Sequence, residues 1–322
     1  MSELEVVYIS GAPRSGTTLL GMILGQLPEF CDVGELWALW RPAFRNGDLC
    51  GCGLPVRECP FWLAVIHRAV GPDYDAAGPA LGDLHREWMG TTRAPLVWLH
   101  QKGWRRRPAY DEYATALGRH YRAIAEVSGA RVIVDSSKMA SDAVLAAGLP
   151  GISLSVIHCV RDPRGVAWSW QKQARQPGPD GRPLDQHSSA ASAARWVAYN
   201  AFARTLLAPR LGDRFRTMRY EDLTGDPIAV TRDLATWLGA DPDALPLADD
   251  PPRLRLSRAT HPVWGNPVRT STGDIPLRVD DEWTRLLGRS ERATTTVVTL
   301  PYLLRYGYPA WPVESEEPVP YP

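Results

Sequence analysis

The stretch Val6–Leu24, VVYISGAPRSGTTLLGMIL, constrains the fold more than any other part of the chain. Val6–Ser10 is β-branched and aromatic and stops at Gly11, which predicts a short buried strand. Thr17–Leu27 is largely apolar up to Pro28, which predicts a helix. Between them, Gly11-Ala-Pro-Arg-Ser-Gly16-Thr17-Thr18 has the glycine spacing of a phosphate-cradling P-loop, G-x-x-x-x-G-K-[ST]. Such a loop joins a strand to a helix and holds an anion at the helix N-terminus, where backbone N–H groups converge. The lysine position holds Thr17, and the nearest cation is Arg14, inside the loop. In a triphosphate-binding loop that lysine reaches the β and γ phosphates. Its absence argues against triphosphate hydrolysis and favours a shorter anion carrying one transferable group.

Further strands are predicted at Arg131–Asp135, at Leu154–Val160, which runs into Arg161, and at Phe215–Tyr220. Helices are predicted at Arg164–Arg175 and Ser192–Leu207. Strands separated by helices imply a parallel sheet, with ligands at the carboxyl ends of its strands. Gly11, Asp135–Lys138, Arg161 and Tyr220 all stand at such ends. Residues 36–129 read as a helical cap inserted between the first two of these strands. The expected architecture is therefore α/β: a P-loop NTPase-like three-layer fold, with a central parallel sheet flanked by helices and a helical cap insertion. One domain would cover 1–310. Arg175–Ser189, rich in Gly, Pro and Asp, reads as a mobile loop, and 311–322 as a disordered tail.

The 322 residues carry 36 basic and 36 acidic side chains. A zero formal charge argues against a nucleic-acid partner. Arg14 interrupts the first apolar run too early for a leader or a membrane span, so a cytoplasmic protein is expected. The five cysteines are an odd number for a disulfide framework. Cys50-x-Cys52 with Cys59 is loose spacing for a metal site, and nothing places Cys31 beside it, so these read as structural or free thiols and no metal is expected.

PRSGTTLL resembles the loop of the PAPS-dependent sulfotransferases, which use 3'-phosphoadenosine 5'-phosphosulfate. HCVRDPRGVAWSW, His158–Trp170, is similar to that family's 3'-phosphate segment. RYEDL, with Tyr220, resembles the strand end near the adenine, and GNPVR, with Asn266 and Arg269, a late loop that closes over the nucleotide. VDSSK matches the bacterial branch. The similarity runs as islands from about Val6 to Trp283. It implies PAPS as cosubstrate, held by Arg14, Ser15, Gly16, Thr17 and Thr18 at the 5' end and by Arg161 and Ser169 at the 3'-phosphate, with Tyr220, Asn266 and Arg269 in support.

The catalytic set this implies is Arg14, Lys138 and Glu35. Lys138 would reach the sulfuryl group or its bridging oxygen. Glu35, a short turn after the first helix, would take the acceptor's proton, with Trp37 and Trp40 desolvating it. His100 is the second choice for the base and His261 the third; His67, His85 and His120 are assigned no catalytic role. The acceptor would be a small molecule, glycan or lipid presenting a hydroxyl or amine. The alternative is a P-loop kinase for a small metabolite. Trp104–Pro108, WRRRP, reads as a solvated basic stretch.

Overall fold

The computed structural model describes residues 3–104, 107–174, 188–249, 252–256, 260–271 and 273–311. Residues 175–187 of the loop expected at Arg175–Ser189, 312–322 of the tail expected at 311–322, and Arg105 and Arg106 of the basic stretch lie outside the described residues, while Ser188 and Ser189 instead cap and open the helix Ser189–Phe202.

Five parallel strands form the central sheet: β1 (Leu4–Gly11), β2 (Phe30–Gly34), β3 (Val132–Lys138), β4 (Ile152–Val160) and β5 (Phe215–Arg219). Their spatial order is β2-β3-β1-β4-β5, and every neighbouring pair is parallel. Alternation along the strands sorts side chains between two cores. Val6, Tyr8, Ile133, Leu154 and Val156 face one core, while Val7, Ile9, Val132, Val134 and Ile157 face the other. The first core is closed by the helices Pro60–Ala69, Pro108–Ser128 and Ala140–Ala146. The second is closed by α1 (Thr17–Leu24) and the helix Pro227–Trp237. The result is the three-layer α/β architecture that the loop predicts.

Several boundaries differ from expectation. The helix α1 ends at Leu24, short of the expected Leu27, and Gly25 follows it where a Cβ would sit 2.5 Å from Asp32 Cβ. Tyr220 is the first residue of the helix Tyr220–Gly225 and not the last of β5. The strand β2 is not among the expected strands, since Phe30–Gly34 is short and carries Asp32 at its centre. The helices between 36 and 129 follow β2, and their apolar faces share one continuous core with the sheet. They pack as a layer on one face of the sheet. A small antiparallel sheet of Leu247–Asp249, Pro252–Arg255 and Asp274–Pro276 is a further addition. Among the described residues, no helix is long and apolar enough to cross a membrane.

Asp32 is buried at the edge of the sheet, accepting the Gly34 N–H at 3.0 Å. Burial penalises its charged form, and its carboxyl titrates at about 7. The unfolded value is about 3.9, so the fold binds the extra proton between the two. The contribution of neutral Asp32 is complete below the unfolded pKa and is lost as pH rises through about 7. Asp32→Asn keeps the acceptor and removes the titration. The melting temperature of the variant, minus that of the parent, is expected to climb between about pH 4 and pH 7 and to level off above that. The slope it removes approaches about 1.4 kcal/mol per pH unit. A difference that stays flat across that range contradicts the assignment.

Candidate active site

The loop leaves β1 at Gly11 and re-enters regular structure at Thr17. Two of its residues are left-handed: Arg14 at φ 75° and Gly16 at φ 81°. Gly16 is required twice over, because a Cβ there would lie 2.5 Å from the Tyr220 ring. Arg14 tolerates its conformation at a cost of about 1–3 kcal/mol, typical of residues held for function. The loop turns Ser15 fully inward, and its buried Oγ has no hydrogen-bond partner among the described residues. An unpaired hydroxyl at a helix N-terminus is an acceptor-hungry position.

A second cationic group stands beside the loop. Arg161 leaves the carboxyl end of β4, and Ser169 lies one face along the helix Pro163–Ala174. Arg14 Nε donates to Ser169 Oγ at 2.9 Å, and Arg161 donates to the Arg14 carbonyl at 3.0 Å. Arg161 also stacks over Tyr220, 4.4 Å from the ring centroid. Burial, and then the neighbouring Arg161, lower the Arg14 pKa. The counter-charge is Asp280, whose carboxylate is 2.9 Å from Arg161 and 31% exposed. Two guanidinium groups facing one part-exposed carboxylate leave a site with surplus positive charge. The ion pair one would expect between Arg161 and Asp162 does not form. Asp162 is held by Arg164 through two contacts of 2.9 and 2.6 Å, which leaves Arg161 free of it. Sequence reasoning missed Asp280, which follows no motif.

On the other side of the loop, β3 bulges against β1 between Tyr8 and Ser10, and Lys138 adopts φ 72°. The bulge aims the ammonium group at Glu35, and the two form an ion pair. Each is only 7% exposed. Glu35 Oε2 also accepts the Trp37 indole N–H at 3.0 Å, and Trp37 stacks on His85 with centroids 5.5 Å apart. His85 in turn contacts Asp142 at 3.0 Å. Asp135, at the same strand end, is occupied by the Tyr121 hydroxyl at 2.7 Å and by the Ser137 N–H at 2.9 Å. Burial lifts its carboxyl to about 6. It serves the frame of β3.

The late loop lies over both halves. Val263 pairs with Gly34 through the Val33 carbonyl and the Glu35 N–H. A Cβ on Gly265 would lie 3.1 Å from Thr18 Oγ1 and 3.2 Å from Glu35 Oε1. Asn266 reaches the P-loop with its main chain, its N–H donating to Thr18 Oγ1 at 3.3 Å. Its side chain instead caps the turn Pro267–Thr270. Arg269 donates to the carbonyls of Gly265 and Leu49, so it braces the loop against the helical layer. The alternative bases, His100 and His261, stand elsewhere, and His120, assigned no catalytic role, lies in the core. His100 accepts the Arg107 N–H and packs with Trp88 and Tyr110. His120 accepts the Trp40 indole N–H. His261 meets Cys50, Cys52 and Cys59, while Cys31 sits in β2.

A family model described as "Sulfotransferase domain" matches residues 4–249. Among curated proteins, "Carbohydrate sulfotransferase 5" of Mus musculus is 33% identical over 102 residues, 28% of this chain and 26% of that protein. "Carbohydrate sulfotransferase 2" of Mus musculus is 26% identical over 296 residues, 73% of this chain and 53% of that protein. The chain thus spans between about a quarter and about half of these relatives' lengths. Among solved structures, the "Sulfotransferase Domain from the Curacin Biosynthetic Pathway" superposes with a TM-score of 0.51 at 18% identity, over 96% of this chain and 100% of that one. That likeness is one of fold. The family match runs from the first strand of the sheet past its last, and so contains the loop, Lys138 and Arg161 alike. The chain belongs to the sulfotransferase family.

Proposed function

We propose that this sulfotransferase takes its sulfuryl group from PAPS and transfers it to a hydroxyl or amine of a small-molecule, glycan or lipid acceptor. The observation that carries the donor assignment is the Arg14–Ser169–Arg161 cluster beside the loop. A nucleotide phosphorylated only at its 5' end needs the loop alone. One with a 3'-phosphate as well uses both sites. The residues fit such a ligand: Ser15 Oγ is buried without a partner among the described residues, and the guanidinium pair has a part-exposed counter-charge. PAPS supplies the activated group, a sulfuryl on a phosphate oxygen.

The chain's own residues would then divide the work. The N–H groups of Ser15–Thr18 and the dipole of α1 hold the 5' end. Arg14 joins them at the 5' end, while Arg161 and Ser169 hold the 3' end through charge-assisted hydrogen bonds, the Arg14–Ser169 bond linking the two sites. Lys138 stabilises charge on the departing phosphate oxygen as the sulfur–oxygen bond to it breaks and that to the acceptor forms. Glu35 accepts the acceptor's proton. The Lys138–Glu35 pair must open for this, each partner turning to a reacting atom. Leu36, Trp37, Trp40, Leu81, His85 and Tyr113 line a pocket next to Glu35. The gap among them measures about 20 Å³, room for one water, so these side chains pack behind the Trp37 indole that holds Glu35 and do not enclose an acceptor. The names of the curated relatives support a glycan.

The test is mass spectrometry of a metabolite and glycan extract incubated with the enzyme and PAPS. A species gaining one sulfuryl group only when both are present is the expected result. Phosphorylated products formed with ATP and magnesium, and none with PAPS, would replace the reading by the small-metabolite kinase.

A further inference from the structure

Cys50, Cys52 and Cys59 belong to the start of the helical layer, and His261 to the late loop, 202 residues beyond Cys59. Cys50 Sγ and Cys59 Sγ each lie 3.5 Å from His261 Nδ1, and Cys52 Sγ lies 3.7 Å from Cys59 Sγ. All four atoms fall within 4.8 Å of one another. Tetrahedral zinc, at about 2.3 Å from sulfur and about 2.0–2.1 Å from nitrogen, sets sulfur–sulfur edges of about 3.8 Å and sulfur–nitrogen edges of about 3.5 Å. Three measured edges have these lengths. Hydrogen bonding does not account for the cluster. A thiol is a weak donor and one Nδ1 accepts a single hydrogen bond, which gives three thiols no reason to converge. Nor does oxidation, because the sulfurs are well beyond disulfide length and all five cysteines are free thiols.

We propose that Cys50, Cys52, Cys59 and His261 bind one zinc ion as a closed structural site. Three thiolates and a neutral imidazole are a zinc-type donor set, and four protein ligands leave no open position for chemistry. The backbone presents them. The Cys50 N–H donates to the Leu54 carbonyl at 2.8 Å, and the Gly53 N–H to the Cys50 carbonyl at 2.9 Å, making a tight knuckle with Gly53 at φ 86°. Cys59 precedes the helix Pro60–Ala69 and is anchored to the Pro55 carbonyl at 3.0 Å. The imidazole is held in place by outer contacts: it stacks on Phe61 with centroids 4.4 Å apart, and Trp62 Nε1 donates to the His261 carbonyl at 2.9 Å. Three thiolates around zinc carry one net negative charge, and Arg269 donates to Leu49, next to Cys50, at 3.3 Å.

The site has a consequence for the rest of the molecule. From His261 the chain runs directly through Val263, paired on β2, to Asn266 on Thr18. Zinc would fix where the late loop starts, and so its position over Glu35 and the P-loop. This inference stands independently of the donor and acceptor proposed above.

The test uses the full chain, expressed with zinc in the medium and purified without chelators. Elemental analysis is expected to give one zinc per chain, and well below one in Cys59→Ser and in His261→Ala. Because those variants can misfold, the parent protein is also exchanged with cobalt. A tetrahedral cobalt spectrum with thiolate charge-transfer absorption, and release of zinc as a mercurial titrates three thiols, are expected. Zinc well below one per chain in the parent, iron in its place, or full retention in both variants overturns the proposal.

Discussion

Glu35→Gln lowers kcat on the order of 10²–10⁴-fold, the usual loss when a general base is removed, while adenosine 3',5'-bisphosphate still binds. The substitution is nearly isosteric, and its amide oxygen can still accept the Trp37 indole N–H that Oε2 accepts at 3.0 Å. What disappears is the negative charge paired with Lys138 and the ability to take a proton. Lys138 then loses its counter-ion, so affinity for an anionic donor is retained or rises. That split between binding and turnover separates a base from a structural carboxylate, whose loss would weaken both. Steady-state kinetics with calorimetric binding on the same preparation reads it. Near-normal turnover in Glu35→Gln would remove Glu35 from the base role. Lys138→Ala is expected to lose turnover too.

Arg161→Ala weakens adenosine 3',5'-bisphosphate binding by about 10–100-fold, as expected for losing a charged hydrogen-bonding partner worth about 1.5–3 kcal/mol. Adenosine 5'-phosphate binding, which needs only the loop, changes far less. The selectivity follows from geometry, because among the described residues Arg161 hydrogen-bonds the loop at the Arg14 carbonyl through one terminal nitrogen, while the other pairs with Asp280. The variant also leaves Tyr220 without the cation over its ring, so folding is checked by thermal unfolding. Equal losses for both nucleotides would show that Arg161 supports the loop as a whole and does not recognise a 3'-phosphate.

The sheet was largely legible because its central strands are continuous β-branched runs, and β1, β3 and β4 carry them. The rule that ligands sit at the carboxyl ends of parallel strands places Gly11, Lys138 and Arg161 at one edge from the strand pattern alone. The misses share a physical origin. The strand β2 is legible only once Asp32 is seen to be buried, since sequence pattern treats an aspartate as exposed. The partners Asp280 and His261 are joined to the site by chain closure over more than a hundred residues. No local periodicity encodes that. Arg269 and Asn266 follow the late-loop pattern, yet the fold uses the first as a brace and the second through its main chain. Motif position identified the segment and left the direction of each side chain open.

The central claim is that two anion sites, at the P-loop and at Arg161, together select a nucleotide bearing a 3'-phosphate. Differential thermal stabilisation of the full chain measures it most directly. At about 100 times its Kd, a ligand specific to the folded state adds about 2.7 kcal/mol. Adenosine 3',5'-bisphosphate is expected to raise the melting temperature clearly, and ATP with magnesium at the same concentration to raise it little. Stabilisation by ATP with magnesium and none by the bisphosphate would contradict the account.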